Sequence, residues 1–115
     1  METKKLVNTH TFTVNCTTAK SEELSGTFTV HRPNMGEMIR IGVAEARELG
    51  GMSNVDPATA MVASMIATLE IVIDVHPDWW KPRELYDAEV IQEVYNKYVD
   101  YLRQFQKKPS AEGTS

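Results

Sequence analysis

Two short stretches near the front of the chain alternate threonine with a large apolar residue: Thr11-Phe12-Thr13-Val14 and Thr27-Phe28-Thr29-Val30. A period of two in β-branched and aromatic residues is the pattern of a half-buried strand. The intervening TTAKSEELSG, Thr17 to Gly26, is polar and ends in glycine, so a loop is expected there. Together these stretches predict an antiparallel hairpin with Phe12, Val14, Phe28 and Val30 on one face. Two strands alone are marginal, so that face must pack on the helices further along the chain or pair with another chain.

The helical pattern begins after Pro33. Asn34 is placed to cap a first helix over Met35–Leu49, which Gly50-Gly51 ends. Along it Met35, Ile39, Val43 and Ala46 share one face, while Glu37, Arg40, Glu45 and Glu48 fall elsewhere. Asp56-Pro57 opens a second helix with a capping carboxylate followed by proline at the first helical position. That helix is expected to reach Val75, where Pro77 stops it. After an irregular connector, DWWKPRELYD, Asp87 is expected to cap a third helix over Ala88–Gln106. Its apolar residues Ile91, Val94, Tyr95, Tyr98, Leu102 and Phe105 recur at three- and four-residue steps, and Glu93 and Lys97 form a supporting pair on its wet side. The architecture predicted is α+β, an N-terminal β-hairpin followed by three α-helices with an apolar central helix. It is one domain over residues 1–106, with a disordered polar tail over 107–115.

The central helix poses the functional question. From Pro57 to Val75 it reads PATAMVASMIATLEIVIDV, and only Glu70 and Asp74 carry charge. A helix apolar nearly all round must be covered on most sides. The expectation is that its neighbours in so short a chain do not hide it fully, and that it grips other chains. Met35, Met38, Met52, Met61 and Met65 cluster from the first helix to the start of the second. Methionine fills irregular gaps in cores and also builds surfaces that adapt to several partners. Trp79 and Trp80 are adjacent in a proline-bounded loop, so their rings point opposite ways: one should anchor the connector and the other serve as an interface hot spot. Met61, Met65, Trp79 and Trp80 are the expected partner-binding residues.

Composition narrows the class. At 115 residues with a net charge of -4 the chain is a single domain and a poor electrostatic match for nucleic acid. Lys107-Lys108 beside Arg103 is too short a basic cluster to change that. One cysteine, Cys16, excludes an internal disulfide and favours a reducing compartment. Lys4 and Lys5 are not followed by an apolar run of signal-peptide length. Residues 57–75 are rich in Ala, Ser and Thr and carry two carboxylates, so membrane insertion is not expected.

Chemistry is scarce. His10, His31 and His76 lack metal-site spacing, and His10 with His31 would supply at best two ligands, so no metal and no cofactor are expected. Glu70 and Asp74 stand four apart and would share a helix face. Without a nucleophile, phosphate loop or oxyanion element beside them, they read as the wet edge of a covered helix. Cys16 has no basic neighbour in sequence and reads as a small strand hydrophobe. No catalytic residue is assigned, and the protein is expected not to be an enzyme.

The order of the pieces nevertheless resembles a known family. A strand ending in TFTVHRPNMGEMIRIG, a Gly-Gly break, an Ala-rich apolar helix running into PDWW, and a last helix with EVIQEVYNKYVDYLRQF are similar to the tail assembly chaperones of long-tailed bacteriophages and prophages. The likeness spans Thr27 to Phe105 and is one of layout: FxVxRP, a proline-tryptophan turn and VYxxYxxxLxxF. It implies a protein of the host cytoplasm, made during virion morphogenesis and absent from the finished virion. Such a protein binds the tape measure protein, keeps it soluble, helps tail tube protein subunits polymerise around it and self-associates. In many members a ribosomal frameshift near the end of the gene yields a longer second product. The alternative is a small structural tail-completion or head-tail joining protein retained in the virion.

Overall fold

In the first nine-residue strand, β1 (Thr9–Thr17), and its partner β2 (Glu23–His31), the pairing is antiparallel, with Phe12 opposite Phe28 and Val14 opposite Gly26. The computed structural model describes residues 8–50 and 56–105, so the expected tail over 107–115, Met52 and the first seven residues lie outside them. Phe12, Val14, Phe28 and Val30 face the core, as their alternation predicts. The opposite face is a threonine ladder, with the Thr11 and Thr29 hydroxyls 2.9 Å apart and those of Thr13 and Thr27 at 3.4 Å.

Both strands run beyond the TFTV repeats, leaving only residues 18–22 for the turn. There Ser21 is left-handed at φ 64°, and the Thr18 hydroxyl accepts the amides of Lys20 and Glu22 at 3.3 and 3.1 Å. Gly26, expected to end a loop, lies inside β2. A Cβ at that position would come within 2.5 and 2.7 Å of the Pro77 ring, so glycine permits the close approach of the connector.

Helix α1 (Met35–Leu49) starts on a reciprocal capping box. The Asn34 side chain accepts the Glu37 amide at 2.8 Å, and the Glu37 carboxylate accepts the Asn34 amide at 3.0 Å. Gly50, left-handed at φ 59°, closes it. Helix α2 (Pro57–Val72) starts on Asp56, whose carboxylate takes the Thr59 amide at 3.2 Å and hydroxyl at 2.6 Å.

The second helix is shorter than expected. Ile73–Val75 leave it and form β3, antiparallel to β2, giving a sheet of order β1-β2-β3. The run Ile71-Val72-Ile73 is β-branched and suits either state; the open edge of β2 decides for strand. Glu70 and Asp74 therefore do not share a helix face.

Helix α3 (Ala88–Leu102) continues as a tight turn through Phe105. Asp87 stands before it without capping it. Its carboxylate instead accepts the Ala19 amide at 2.9 Å, tying the hairpin turn to the start of the helix.

The class is α+β. The C-terminal half of α2 and one face of α3 cover the apolar side of the sheet. Phe28, Leu69, Val14, Val30, Val72, Val90 and Val94 are fully enclosed.

Candidate functional site

Helix α2 does not present the open surface that its composition suggests. Met65, Ile66, Ala67, Thr68, Leu69 and Val72 are buried by the chain's own sheet and helices. Of the expected contact residues, Met65 and Trp80 are core residues. Trp80 is 5% exposed and stands edge-on to Phe28 at 5.3 Å between ring centroids. Trp79 is half-buried, its Nε1–H donating to the Ser25 carbonyl at 2.9 Å. Both indoles thus fasten the connector to β2: Trp80 is enclosed there, while Trp79 keeps part of its surface open. Met61 is 58% exposed and lines, together with Met65, a groove shared with Pro57, Ala60, Ser64, Gln92 and Tyr95. The structure brings Met61 and Met65 to one groove and Trp79 and Trp80 to another place, on the connector, so the four do not form one surface.

Among the described residues, most of the exposed large apolar side chains stand together on α1, none of whose fifteen residues is buried; Met61, Val75 and Tyr86 are exposed elsewhere. Met35 is 71% exposed and Ile39 69%, with Met38 and Val43 also exposed. Gly42 and Ala46 lie on the same outer side, and nothing stands within 4 Å of where a Gly42 Cβ would be. The apolar face expected of the first helix exists, but it is turned away from the core.

Polar side chains hold α1 in that orientation. Ile41 and Ala44 are half-buried on the body side, and the three glutamates on that side are all engaged. Glu37 meets His31, Glu45 accepts the Ser64 hydroxyl, and Glu48 meets Arg83. Arg83 also reaches Glu70 at 3.0 and 3.1 Å, which joins α1 to α2 through one guanidinium. Glu48 is held below the usual carboxylate range by that Arg83 bond.

His31 is the most constrained of these groups. Its Nε2 lies 2.8 Å from Glu37, and its Nδ1 lies 2.9 and 3.0 Å from the two oxygens of Asp74. A neutral imidazole has one N–H to give, so facing carboxylates with both nitrogens calls for the imidazolium. Burial opposes that charge, but the bonds to Glu37 and Asp74 prevail and the pKa is raised. Glu37 is held low, first by the Asn34 backbone amide and then by His31.

The remaining chemistry-bearing residues have structural duties. Glu70 serves Arg83 and Asp74 serves His31. Burial, with Glu93 nearby, pushes the Cys16 thiol up, the reverse of nucleophile activation. His10 stacks on Tyr101 at 5.0 Å; it pairs opposite Val30 whereas His31 pairs opposite Thr9, so the two histidines occupy opposite faces of the hairpin. Among the described residues no group of three or more ligand-type side chains could hold a metal ion, and no helix is long and apolar enough to cross a membrane.

Comparison with family models, with curated proteins and with solved structures gives no match to this chain. The functional reading therefore rests on the α1 face and on the layout of the sequence. Met35, Ile39 and Val43 were legible as one face; what the periodicity lacked was its direction. No sequence signal set that direction: Glu37, Glu45 and Glu48 read as a wet side, and only their bonds to His31, Ser64 and Arg83 show that they face the body.

Proposed function

We propose that this protein is a non-enzymatic assembly chaperone of the phage tail type. It docks the apolar face of α1 against the amphipathic helices of a tape measure protein and holds that protein soluble while tail tube protein assembles around it. The observation that carries the reading is the outward apolar face of α1 on a domain whose core is otherwise closed. Large apolar side chains grouped on one exposed helix face mark an interaction site more often than chance exposure does. Met35 and Met38 add flexible side chains that adapt to varied partners.

Energetics favour many weak contacts over one strong one. Burying Met35, Met38, Ile39 and Val43 contributes roughly 1–2 kcal/mol each, about 4–8 kcal/mol together. Association costs about 4–15 kcal/mol before any contact is made. A single α1 face therefore binds weakly, and useful affinity needs several copies along one long helical partner. That is the regime of a chaperone that coats a filament and self-associates along it, acts in the host cytoplasm and is absent from the mature virion.

Co-expression tests the reading. A tape measure fragment that is insoluble alone should become soluble with the wild-type chain and stay insoluble with Ile39→Asp. Equal rescue by both proteins, or by neither, would count against docking through α1.

A further inference from the structure

The five charged residues of α1 are sorted by sign. Glu37, Glu45 and Glu48 face the body, each with a partner there. Arg40 and Arg47 are both exposed, and both neighbour Val43 on the helix surface, at the margin of the apolar face. The Arg40 side chain is 67% exposed, its guanidinium in a loose ion pair with the Glu37 carboxylate at 3.7 Å. On a chain of net charge -4, the outer side of α1 is thus apolar with a cationic margin. The two arginines stand two turns apart, roughly 10 Å along the axis.

We propose that this face selects amphipathic helices that carry carboxylates along one flank of their apolar stripe, two turns apart, so as to meet Arg40 and Arg47. The inference rests on the docking role given to α1 above and adds the charge pattern of the partner. Exposed pairs of this kind contribute little to affinity, but they set register and exclude helices with the opposite pattern.

A second copy of the chain fits this face less well. Laid antiparallel, two α1 helices bring their arginine margins together, as like-placed flanking positions do in antiparallel helix pairs. Laid parallel, each arginine margin meets the side carrying Met38 and Glu45, and Glu45 is already taken by Ser64. An anionic bilayer fits less well again. Helices that lie in a membrane interface carry several cations and bulky aromatic anchors, whereas the outer side of α1 has two arginines and no aromatic.

Two synthetic helical peptides with the same apolar stripe, one flanked by glutamates two turns apart and one by lysines, test the proposal against the purified full-length chain. Fluorescence anisotropy at low salt should give the glutamate peptide an advantage on the order of tenfold. High salt should shrink that advantage. The Arg40→Glu/Arg47→Glu double variant should reverse the preference. Equal binding of both peptides that Ile39→Asp abolishes would overturn the charge selection and leave the docking role of α1 standing. Binding of neither peptide even at millimolar chain concentration, where a weak single face still registers, would overturn both readings. An Ile39-dependent dimer in ultracentrifugation that blocks the peptides, or a preference for phosphatidylglycerol vesicles over the glutamate peptide, would give the face to another occupant and overturn the proposal.

Discussion

Trp80→Ala separates a core role from an interface role at the residue where sequence and structure differ most. The Trp80 ring is 5% exposed, edge-on to Phe28 at 5.3 Å, and 6.2 Å from the Trp79 ring. Truncation removes an indole from an enclosed site and leaves a cavity among Phe28, Leu69 and the connector. Large aromatic-to-alanine changes in cores cost about 3–5 kcal/mol, and the loss of two edge-on ring contacts places this one near the top of that range. A domain of this size holds about 5–15 kcal/mol in all, so the variant should fold but be strongly weakened. Urea denaturation followed by circular dichroism should show the midpoint falling with the slope unchanged. Trp80→Phe, which keeps the ring contact with Phe28, should recover a large part of the loss. A Trp80→Ala protein within about 1 kcal/mol of wild type would refute the core placement. If that same protein had lost partner binding, the indole would be restored as a hot spot.

Other changes probe the elements around α1 and the connector. The folded pKa of His31 is raised above its ordinary value of about 6.5. The clamp to Glu37 and Asp74 is therefore fully present below that value and is lost as pH rises through the folded pKa. The stability deficit of His31→Gln relative to wild type should be larger at about pH 6 than at about pH 9, and a deficit that grows with pH would contradict the clamp. Gly26→Ala drives a methyl into the Pro77 ring and should cost about 1–3 kcal/mol in urea denaturation, with a change in tryptophan fluorescence; a neutral result would mean the connector is loosely seated. Gly42→Ala adds its methyl to open space on a helix and should raise stability by about 0.5–1 kcal/mol, whereas a loss would show that the outer face of α1 is covered within the monomer.

Much of this fold was legible because it is local. The alternation through Phe12, Val14, Phe28 and Val30, the Asn34 and Asp56 caps and the three-four steps of α3 each follow from a few neighbouring residues. What was not legible depends on tertiary competition. Ile73 to Val75 could extend α2 or pair with β2, and the free strand edge settles that choice. Asp87 could cap α3 or take the Ala19 amide, and the turn wins. Adjacent tryptophans suggested one inward and one outward ring, yet Ser25 and Phe28 occupy both. The orientation of α1 escaped for a related reason: periodicity finds an apolar face, but only a core already filled by α2 and α3 turns it outward.

Hydrogen–deuterium exchange on the full-length chain, with and without a soluble tape measure fragment, bears most directly on the claim that α1 is the docking element. Exposed amphipathic helices exchange from low-energy openings, so a helix laid across Met35 to Ala46 should slow exchange there strongly. Protection should concentrate in α1, with Met65 to Val72 and the Trp79–Trp80 connector unchanged. Protection of the connector and of the C-terminal half of α2, with α1 unaltered, would contradict it.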